Sequence, residues 1–501
     1  MQSHTNPVLR FSLQEAQSNP SIWQSLLPVG VLILLLVASV NFFGEDASYG
    51  PNQIALILSA MVCALIGLRL GFTWKQMQEA MVKGVSLSMG AIFILLVVGS
   101  LIGTWILGGV VPTMMYYGLQ VLNPTIFYTA CCIICAIVAI VSGSSWTTVS
   151  TIGIALVGIA AAFGLHLGIA AGAIISGAYF GDKLSPLSDT TNLAPAMVGT
   201  ELFTHIRHML WTTVPSITVA LILFTIIGFV WRPAMDLSTG LDEVLSALEN
   251  SYNLGVHLLI PVVAVLVLIY KKMPAFPALL IGALLGGITA MIFQQEVVIA
   301  FVGESDLPRV LALFKGFWMV MFGEFTANTG NAALDDLLTR GGMSSMLDTI
   351  WLIVSAMMFG AAMEKTGMLM VITKKILGAA RSTGTLILAT LGTAFGMNIV
   401  AGDQYISIVI PGRMYRAEYE KRGLHPKNLS RALEDSGTLT SALIPWNTCG
   451  AFMAATLGVP TLYYLPFAFF NYMNPVISAI YGFTGFTIVP LDEDGNASTE
   501  E

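Results

Sequence analysis

The sequence is dominated by uncharged apolar runs that are long enough to cross a lipid bilayer as helices. A span needs about 20 apolar residues, because the hydrocarbon core is about 30 Å thick and a helix rises about 1.5 Å per residue. Such continuous runs exclude a membrane β-barrel, whose strands alternate apolar and polar residues. The clear runs lie near 26–43, 53–70, 85–108, 209–231, 253–270, 275–293, 346–363 and 462–483.

Composition sets the class of protein and the size of its membrane part. Of the 501 residues, 55% are hydrophobic and only 10% are charged, whereas a soluble domain has about 25% charged residues. This excludes a soluble enzyme, a nucleic-acid-binding protein and a secreted disulfide scaffold; the five cysteines all lie in apolar stretches and are predicted to pack as small hydrophobes. We predict an all-α polytopic membrane protein with about 10–13 membrane segments.

The charged loops predict how the chain is oriented. Lys and Arg accumulate on the cytoplasmic side of membrane proteins, so we expect the basic segments and the amino terminus in the cytoplasm and the acidic loops outside. The acidic loops are 44–52, 232–252 and 294–308, and the basic segments are 69–83, 271–272, 365–381 and 413–431.

Two regions, 125–200 and 384–460, interrupt the apolar pattern with Ser, Thr, Asn, Gly and acidic residues. The first contains SGSSWTTVS and then GDKLSPLSDTTNLA, and the second contains NIVAGDQYIS and then LEDSGTLTSALIPWNTCGA. Thr191 and Thr448 are 257 residues apart, and Gly143 and Gly402 are 259 apart. A constant interval near half the chain length indicates a gene duplication.

The duplication suggests how the chain is divided. We expect a cytoplasmic segment, a first membrane repeat, an external linker, a second membrane repeat and a polar acidic tail. Their predicted bounds are 1–25, 26–231, 232–252, 253–485 and 486–501.

The segment 384–412 has two possible topologies. It is flanked by Arg381 and Arg413, both in segments predicted to be cytoplasmic, and consists of two apolar halves around the polar sequence IVAGDQ. A re-entrant hairpin, which enters and leaves on one face, explains this pattern. A single broken span with one misassigned basic flank is the alternative.

Interrupted segments at matching positions of two repeats are typical of secondary transporters, where the breaks form the binding site. An unwound backbone at membrane depth is tolerated only where it lines a cavity or is buried in protein. Its carbonyl and hydroxyl oxygens are ligands that a hard cation such as Na⁺ prefers. The candidate neutral ligands are Ser145, Thr148, Thr191, Asn192, Asn398, Asn447 and Thr448.

Five acidic residues in the same blocks are candidate carriers of the ion. Each charge at membrane depth costs roughly 3 kcal/mol on insertion scales, so we expect a functional reason for them. A buried carboxylate that holds either a proton or Na⁺ is the simplest exchange mechanism. Asp189 and Asp403 are the first candidates, followed by Asp182, Glu434 and Asp435.

The structural alternatives are ordinary ion pairs. Asp182 has Lys183 beside it, and Glu434 or Asp435 lies close to Arg431. A channel would also accommodate polar breaks. No nucleotide-binding or hydrolase motif occurs, so we predict neither an enzyme nor a cofactor.

The blocks GSSWTTVSTIGIAL, GAYFGDKLSPLSDTTNLAP and DQY…GRMY…LSRALEDSGTLTSALIPWNTCG resemble the NhaC-type Na⁺/H⁺ antiporters, and the likeness covers roughly residues 20–485. The resemblance implies two inverted repeats with broken helices and re-entrant hairpins, a moving transport domain of the elevator type, and a homodimer in membrane lipid. It places the ion site at 142–151, 181–194, 398–404 and 434–448.

The resemblance also implies the transported ions. It predicts export of Na⁺ in exchange for H⁺ across a bacterial cytoplasmic membrane. Because the family includes members that exchange organic acids, a malate- or lactate-like acid or an amino acid, coupled to Na⁺ or H⁺, is the alternative substrate.

Overall fold

In the computed structural model, residues 19–230, 237–304 and 306–491 are described, and they form an all-α fold. Within these ranges the β-structure consists of two isolated bridges, Phe325–Arg340 and Leu424–Pro490. The predicted all-α polytopic fold class is therefore confirmed.

Among the described residues up to 230, the first helix is α1, which begins at Ile22. A π-helical turn, Val149–Gly153, joins α7 to α8. The helices are α1 (Ile22–Phe43), α2 (Pro51–Arg69), α3 (Trp74–Leu87), α4 (Met89–Leu107), α5 (Val110–Val121), α6 (Phe127–Ser142), α7 (Ser145–Thr148), α8 (Ile154–Ala162), α9 (Leu167–Leu184), α10 (Asp189–Val198) and α11 (Leu202–Val230).

The remaining described residues are also helical. A π-helical turn, Glu434–Thr438, and a 3₁₀ turn, Leu439–Leu443, extend α22. The helices are α12 (Leu237–Ser251), α13 (Ile260–Tyr270), α14 (Ala275–Phe293), α15 (Gln295–Val302), α16 (Arg309–Phe322), α17 (Ala332–Leu338), α18 (Leu347–Lys365), α19 (Met368–Ala379), α20 (Thr383–Val400), α21 (Gln404–Lys421), α22 (Pro426–Leu433), α23 (Thr448–Leu457), α24 (Thr461–Tyr464) and α25 (Phe469–Thr484). Further 3₁₀ turns are Gly44–Ser48, Pro124–Ile126, Val256–Leu259, Met343–Met346 and Leu465–Phe467.

The number of spans lies at the lower end of the prediction. Among the described residues, 9 helices are long and apolar enough to cross a membrane, or 10 if the bent pair Leu241–Ser251 and Val256–Tyr270 counts as one span. The predicted run 462–483 is not one helix: α24 ends after one turn, Pro466 lies in a 3₁₀ turn, and α25 begins at Phe469. Proline removes a backbone donor, which explains the break.

The predicted linker and termini are described only in part. Residues 1–18, 231–236 and 492–501 lie outside the described residues. The described part of the linker is α12, which buries Val244 and Leu248. Before the acidic residues at the carboxyl end, Val489 O accepts a hydrogen bond from His425 N at 2.9 Å.

Helix ends in the two interrupted regions recur at one interval. Helix α10 and helix α23 are 259 residues apart at both ends. Glycines with a left-handed backbone recur at the same interval, as Gly143 and Gly402, Gly164 and Gly423, and Gly199 and Gly458. So do the capping residues Ser144 and Asp403, His166 and His425, and Ser188 and Asn447. The Gly143–Gly402 match is therefore in register, whereas the predicted match of Thr191 with Thr448 is wrong by two positions.

The first interrupted region is a three-helix unit. Gly177 and Gly181 of α9 lie directly against the backbone carbonyls of Cys132 and Ala136 of α6. The residue numbers rise together, so α6 and α9 are parallel, and the segment 145–162 runs back between their ends. The three cysteines of α6 are buried and free, as packing residues are.

The second interrupted region begins with a helical hairpin. The hydroxyls of Thr393 and Tyr415 lie 2.7 Å apart, and those of Thr390 and Tyr419 lie 3.1 Å apart. Arg422 Nη2 donates to Ala380 O at 2.6 Å. Helices α20 and α21 are therefore antiparallel and their outer ends meet. The segment 384–412 is therefore a helical hairpin and not a single broken span, and its re-entrant course stays a prediction.

Candidate functional site

The candidate site is built from helix starts at the breaks. Gly143 and Gly402 adopt φ angles of +66° and +67°, which end one helix and allow the next to begin at once. The helix starts that contribute to the site are those of α7 and α10 in the first region and those of α21 and α23 in the second. In the second region the two starts touch, because Thr448 N donates to Gly402 O at 2.9 Å.

Asp182 lies at the start of α7. Its Oδ2 accepts hydrogen bonds from Ser145 N at 3.0 Å and from Ser145 Oγ at 2.7 Å. Thr191 Oγ1 donates to the carbonyl of Lys183 at 3.1 Å. The carboxylate thus occupies the positive end of another helix. Three predicted site residues, Asp182, Ser145 and Thr191, are brought together here.

Asp403 caps its own helix. Its Oδ1 accepts hydrogen bonds from Tyr405 N at 2.9 Å and Ile406 N at 3.1 Å, and Thr448 Oγ1 lies 3.5 Å from its Oδ2. Asp182 and Asp403 each retain 8% exposure. Both residues are therefore buried, but less completely than the fully enclosed acids Glu434 and Asp435.

Asn398 and Asn447 stabilise the backbone of the second break through hydrogen bonds. Asn447 Nδ2 donates to Asn398 Oδ1 at 3.0 Å, and Asn447 Oδ1 accepts from Cys449 N at 3.0 Å. Asn398 Nδ2 donates to Gly437 O at 2.8 Å. Both amides are fully buried, and their hydrogen bonds satisfy backbone groups that the break leaves free.

The other predicted residues of the first break do not contact the Asp182 carboxylate. Asp189 is the exposed first residue of α10. The exposed Asn192 donates through Nδ2 to Pro186 O at 2.9 Å and so braces the turn. Thr148 Oγ1 donates to Ser144 O at 2.9 Å.

Tyr405, which sequence reasoning missed, lies beside the second break. Its N–H donates to Asp403 Oδ1 at 2.9 Å, and the residue is 42% exposed. Its position corresponds to Trp146 in the first region at the interval of 259 residues, and Trp146 stacks on Phe452 with ring centroids 4.0 Å apart. An aromatic residue directly after each break was a signal that the sequence contained.

A fully buried ion pair joins the two regions. Lys183 pairs with Asp435, and both side chains are 0% exposed. Lys183 Nζ also donates to Asn474 Oδ1 at 2.9 Å, and Thr212 Oγ1 donates to Asp435 Oδ1 at 3.0 Å. Sequence reasoning missed Thr212 and Asn474, although NYMNP in an apolar run was a signal.

Neither of the alternative ion pairs suggested by proximity in sequence is formed. Lys183 is directed to Asp435 and not to Asp182. Arg431 Nη1 donates to Thr487 Oγ1 at 2.9 Å. Asp182 and Lys183 are adjacent on α9 and so point in different directions. The acids three and four residues after Arg431 lie in the π-helical turn Glu434–Thr438, where the spacing of an α-helix does not apply.

Glu434 is fully buried. It is 0% exposed, and within the described part of the chain no hydrogen bond of good geometry reaches either carboxylate oxygen. The hydroxyls of Thr190 and Thr438 and the ammonium of Lys183 lie near enough to interact with it. All four acids are thus buried, and Glu434 and Asp435 more completely than Asp182 and Asp403.

The fold and this site define a multi-pass helical membrane transporter with interrupted helices. The chain belongs to the Na⁺/H⁺ antiporter family, whose profile matches residues 177–486. The predicted resemblance to the NhaC-type Na⁺/H⁺ antiporters is therefore confirmed.

Three relatives illustrate the range of the family. The chain is 38% identical to a Na⁺/H⁺ antiporter NhaC of Alkalihalophilus pseudofirmus, over 93% of this chain and 96% of that protein. It is 39% identical to a malate-2H⁺/Na⁺-lactate antiporter of Bacillus subtilis, over 93% and 95%. It is 34% identical to an arginine/ornithine antiporter of Halobacterium salinarum, over 96% and 95%. Antiport is common to these relatives, and the exchanged solutes differ.

Proposed function

We propose that this antiporter exports Na⁺ in exchange for H⁺ across the bacterial cytoplasmic membrane, with its amino terminus in the cytoplasm. The observation that carries the proposal is that carboxylates of the chain itself occupy the positive helix ends at both breaks. Asp182 accepts from Ser145 N, and Asp403 from Tyr405 N. An anionic solute would have to compete with these carboxylates, whereas a cation is attracted by them.

The carboxylates would bind Na⁺ and H⁺ in turn. An ionised carboxylate can accept about four hydrogen bonds or ligand contacts, and the helix starts use only part of this capacity. The hydroxyl of Thr448 near Asp403 and that of Ser145 on Asp182 offer neutral oxygens. Asp182 and Asp403 are our principal ligands. Asp189 is a further candidate because it lies at the same break.

Alternating access would follow from the arrangement of the repeats. We infer that the repeats are inverted, since matching segments cross in opposite directions. Lys183 near the end of α9 meets Asp435, whereas Tyr179, one turn earlier, lies near Ser441. Elevator-type motion and a homodimer are part of the same proposal, as the family resemblance implies.

Exchange of an organic acid or an amino acid is the second candidate. The malate-lactate and arginine-ornithine antiporters are as extensively matched as the NhaC proteins. The start of α23 is capped by the neutral Asn447 and has no acid in its first turn, so it could receive a substrate carboxylate.

Proton flux in proteoliposomes tests the proposal. Na⁺, Li⁺, K⁺, malate, lactate and arginine are added in turn to purified protein reconstituted with a pH-sensitive dye. We expect Na⁺-dependent proton flux, which Asp182→Asn and Asp403→Asn each lower about 10- to 100-fold, as expected for the loss of a contact to a charge. Full flux in both variants would refute the assigned roles, and flux with only an organic solute would favour the second candidate.

A further inference from the structure

We propose that Lys183 is a positioning residue for the ion-binding carboxylate of Asp182. The two residues are neighbours in the last turn of α9, yet their partners belong to different regions. Asp182 binds Ser145 at the first break, whereas Lys183 binds Asp435 of the second region. The inference rests on the proposed function, since it takes Asp182 as an ion ligand.

Helix geometry couples the two side chains. Successive residues of an α-helix are about 100° apart around its axis, because one turn contains 3.6 residues. Rotation of the last turn of α9 would move Asp182 and Lys183 together. While Lys183 stays on Asp435, Asp182 stays directed towards Ser145.

The partners of Lys183 are themselves fixed by three elements of the fold. Asp435 lies in the π-helical turn after α22 and accepts from Thr212 of α11, and Asn474 lies on α25. All of these side chains are fully buried. The ammonium is therefore held from several directions, and α9 is pinned at the residue next to Asp182.

The pair has no counterpart in the other repeat. The positions related to Lys183 and Asp435 by the interval of 259 residues are Ala442 and Ser176. Asp403 is instead fixed by the start of its own helix. The Lys183–Asp435 pair thus acts only on Asp182. Asp182 lies in the last turn of α9 and so cannot cap the start of its own helix.

Three variants separate positioning from simple support of the fold. Lys183→Met and Asp435→Asn each leave one buried charge unpaired, which is strongly destabilising, whereas removing both charges together often is not. We expect the double variant K183M/D435N to regain most of the thermal stability lost by the single variants. It should still need about 10- to 100-fold more Na⁺ for half-maximal proton flux, the usual effect of losing a residue that orients a metal ligand.

The maximal rate is the second measurement. We expect the maximal rate to change much less than the Na⁺ concentration for half-maximal flux. We expect Lys183→Arg, which keeps the positive charge, to lose less Na⁺ affinity than Lys183→Met. A double variant with wild-type stability and wild-type Na⁺ dependence would overturn the inference. So would a change confined to the maximal rate.

Two controls complete the experiment. Glu418→Gln breaks the partly exposed pair with Arg422 on α21, and we expect wild-type Na⁺ dependence. If the wild-type protein shows no Na⁺-dependent flux, the proposed function fails. If it shows flux that the Lys183 variants leave unchanged in Na⁺ dependence, only the positioning role fails.

Discussion

The two interrupted regions have the same backbone plan, but Asp182 and Asp403 stand at positions that do not match each other. The residue that matches Asp182 in the second region is Ser441, and the residue that matches Asp403 in the first is Ser144. Helix starts, capping positions and left-handed glycines are shared. The two regions therefore share the positions of their breaks but not the positions of their acidic residues.

The two carboxylates are also held differently. Asp403 caps α21 through two backbone N–H groups. Asp182 lies at the end of α9 and accepts from the backbone and the hydroxyl of Ser145 on another segment. Loss of Asp403 is thus a local change at one helix start, whereas loss of Asp182 removes the hydrogen bonds between α9 and the start of α7.

Exchanging each acid for the serine of the other region should give the largest effect. We expect Asp182→Ser to lower Na⁺-dependent proton flux about 100-fold and Asp403→Ser about 10-fold, as expected for loss of roughly 3 and 1.5 kcal/mol of interaction with a charge. Serine at 403 can still cap α21, as Ser144 caps α7. Initial rates in proteoliposomes at saturating Na⁺ measure both.

The double variant S144D/D403S is the matched control for this exchange. Thr448, which lies beside Asp403, corresponds to Asp189 in the first region. An acid at 144 would therefore have another acid near it, and we expect no recovery of flux. Recovery to the wild-type rate would show that the two breaks are chemically equivalent.

Much of the fold could be predicted from the apolar runs and the repeat. The runs give α1, α2, α4, α14 and α18 almost directly, because a helix buried in lipid has a simple pattern. The repeat could be found but not placed in register from hydroxyl residues, since blocks rich in Ser and Thr match equally well when shifted. Gly143 and Gly402 gave the correct register because only a turn requires a left-handed residue.

The polar blocks could be read from the sequence, but the contacts between them could not. The blocks gave Asp189 and Asp403 as first candidates and Asp182 next, yet only the packing shows that Lys183 turns away from Asp182 towards Asp435. That contact joins residues 252 positions apart, and no local pattern encodes it. The exposure of Asp189 likewise depends on how α10 sits at its break.

Replacing Gly143 or Gly402 with alanine should have a smaller effect than the acid exchange. The effect should be on the stability of the protein. Both positions require a left-handed backbone, which costs an L-residue about 1–2 kcal/mol. A Cβ on Gly143 would lie 2.6 Å from Leu187 Cβ, whereas one on Gly402 would lie 3.1 Å from Ala356 Cβ. We expect Gly143→Ala to lower the unfolding temperature of the purified protein more than Gly402→Ala. If Gly402→Ala lowered the unfolding temperature more than Gly143→Ala, the neighbours of Gly143 would accommodate a methyl group more easily than their packing indicates.

The smallest expected effect is on the free energy of unfolding, and it concerns the carboxyl ends of the matching helices α10 and α23. The guanidinium of Arg416 lies over Gly199 at the end of α10, and that of Arg340 lies over Gly458 at the end of α23. A cation there interacts with the negative helix end. The positions that match these arginines in the first repeat are Val157 and Met81, so the contacts are not copies of one another.

The two arginines should differ in salt dependence. Arg340 is partly buried and donates to Leu457 O at 3.4 Å, whereas Arg416 is 49% exposed and pairs with Glu420. We expect Arg340→Ala to lower the free energy of unfolding by about 0.5–1 kcal/mol and Arg416→Ala by less, because water and salt screen exposed charges. Thermal unfolding at low and high KCl measures this. The effect of Arg416→Ala should disappear in high salt while that of Arg340→Ala persists, and equal loss of both effects would show that the two helix ends are equally open to water.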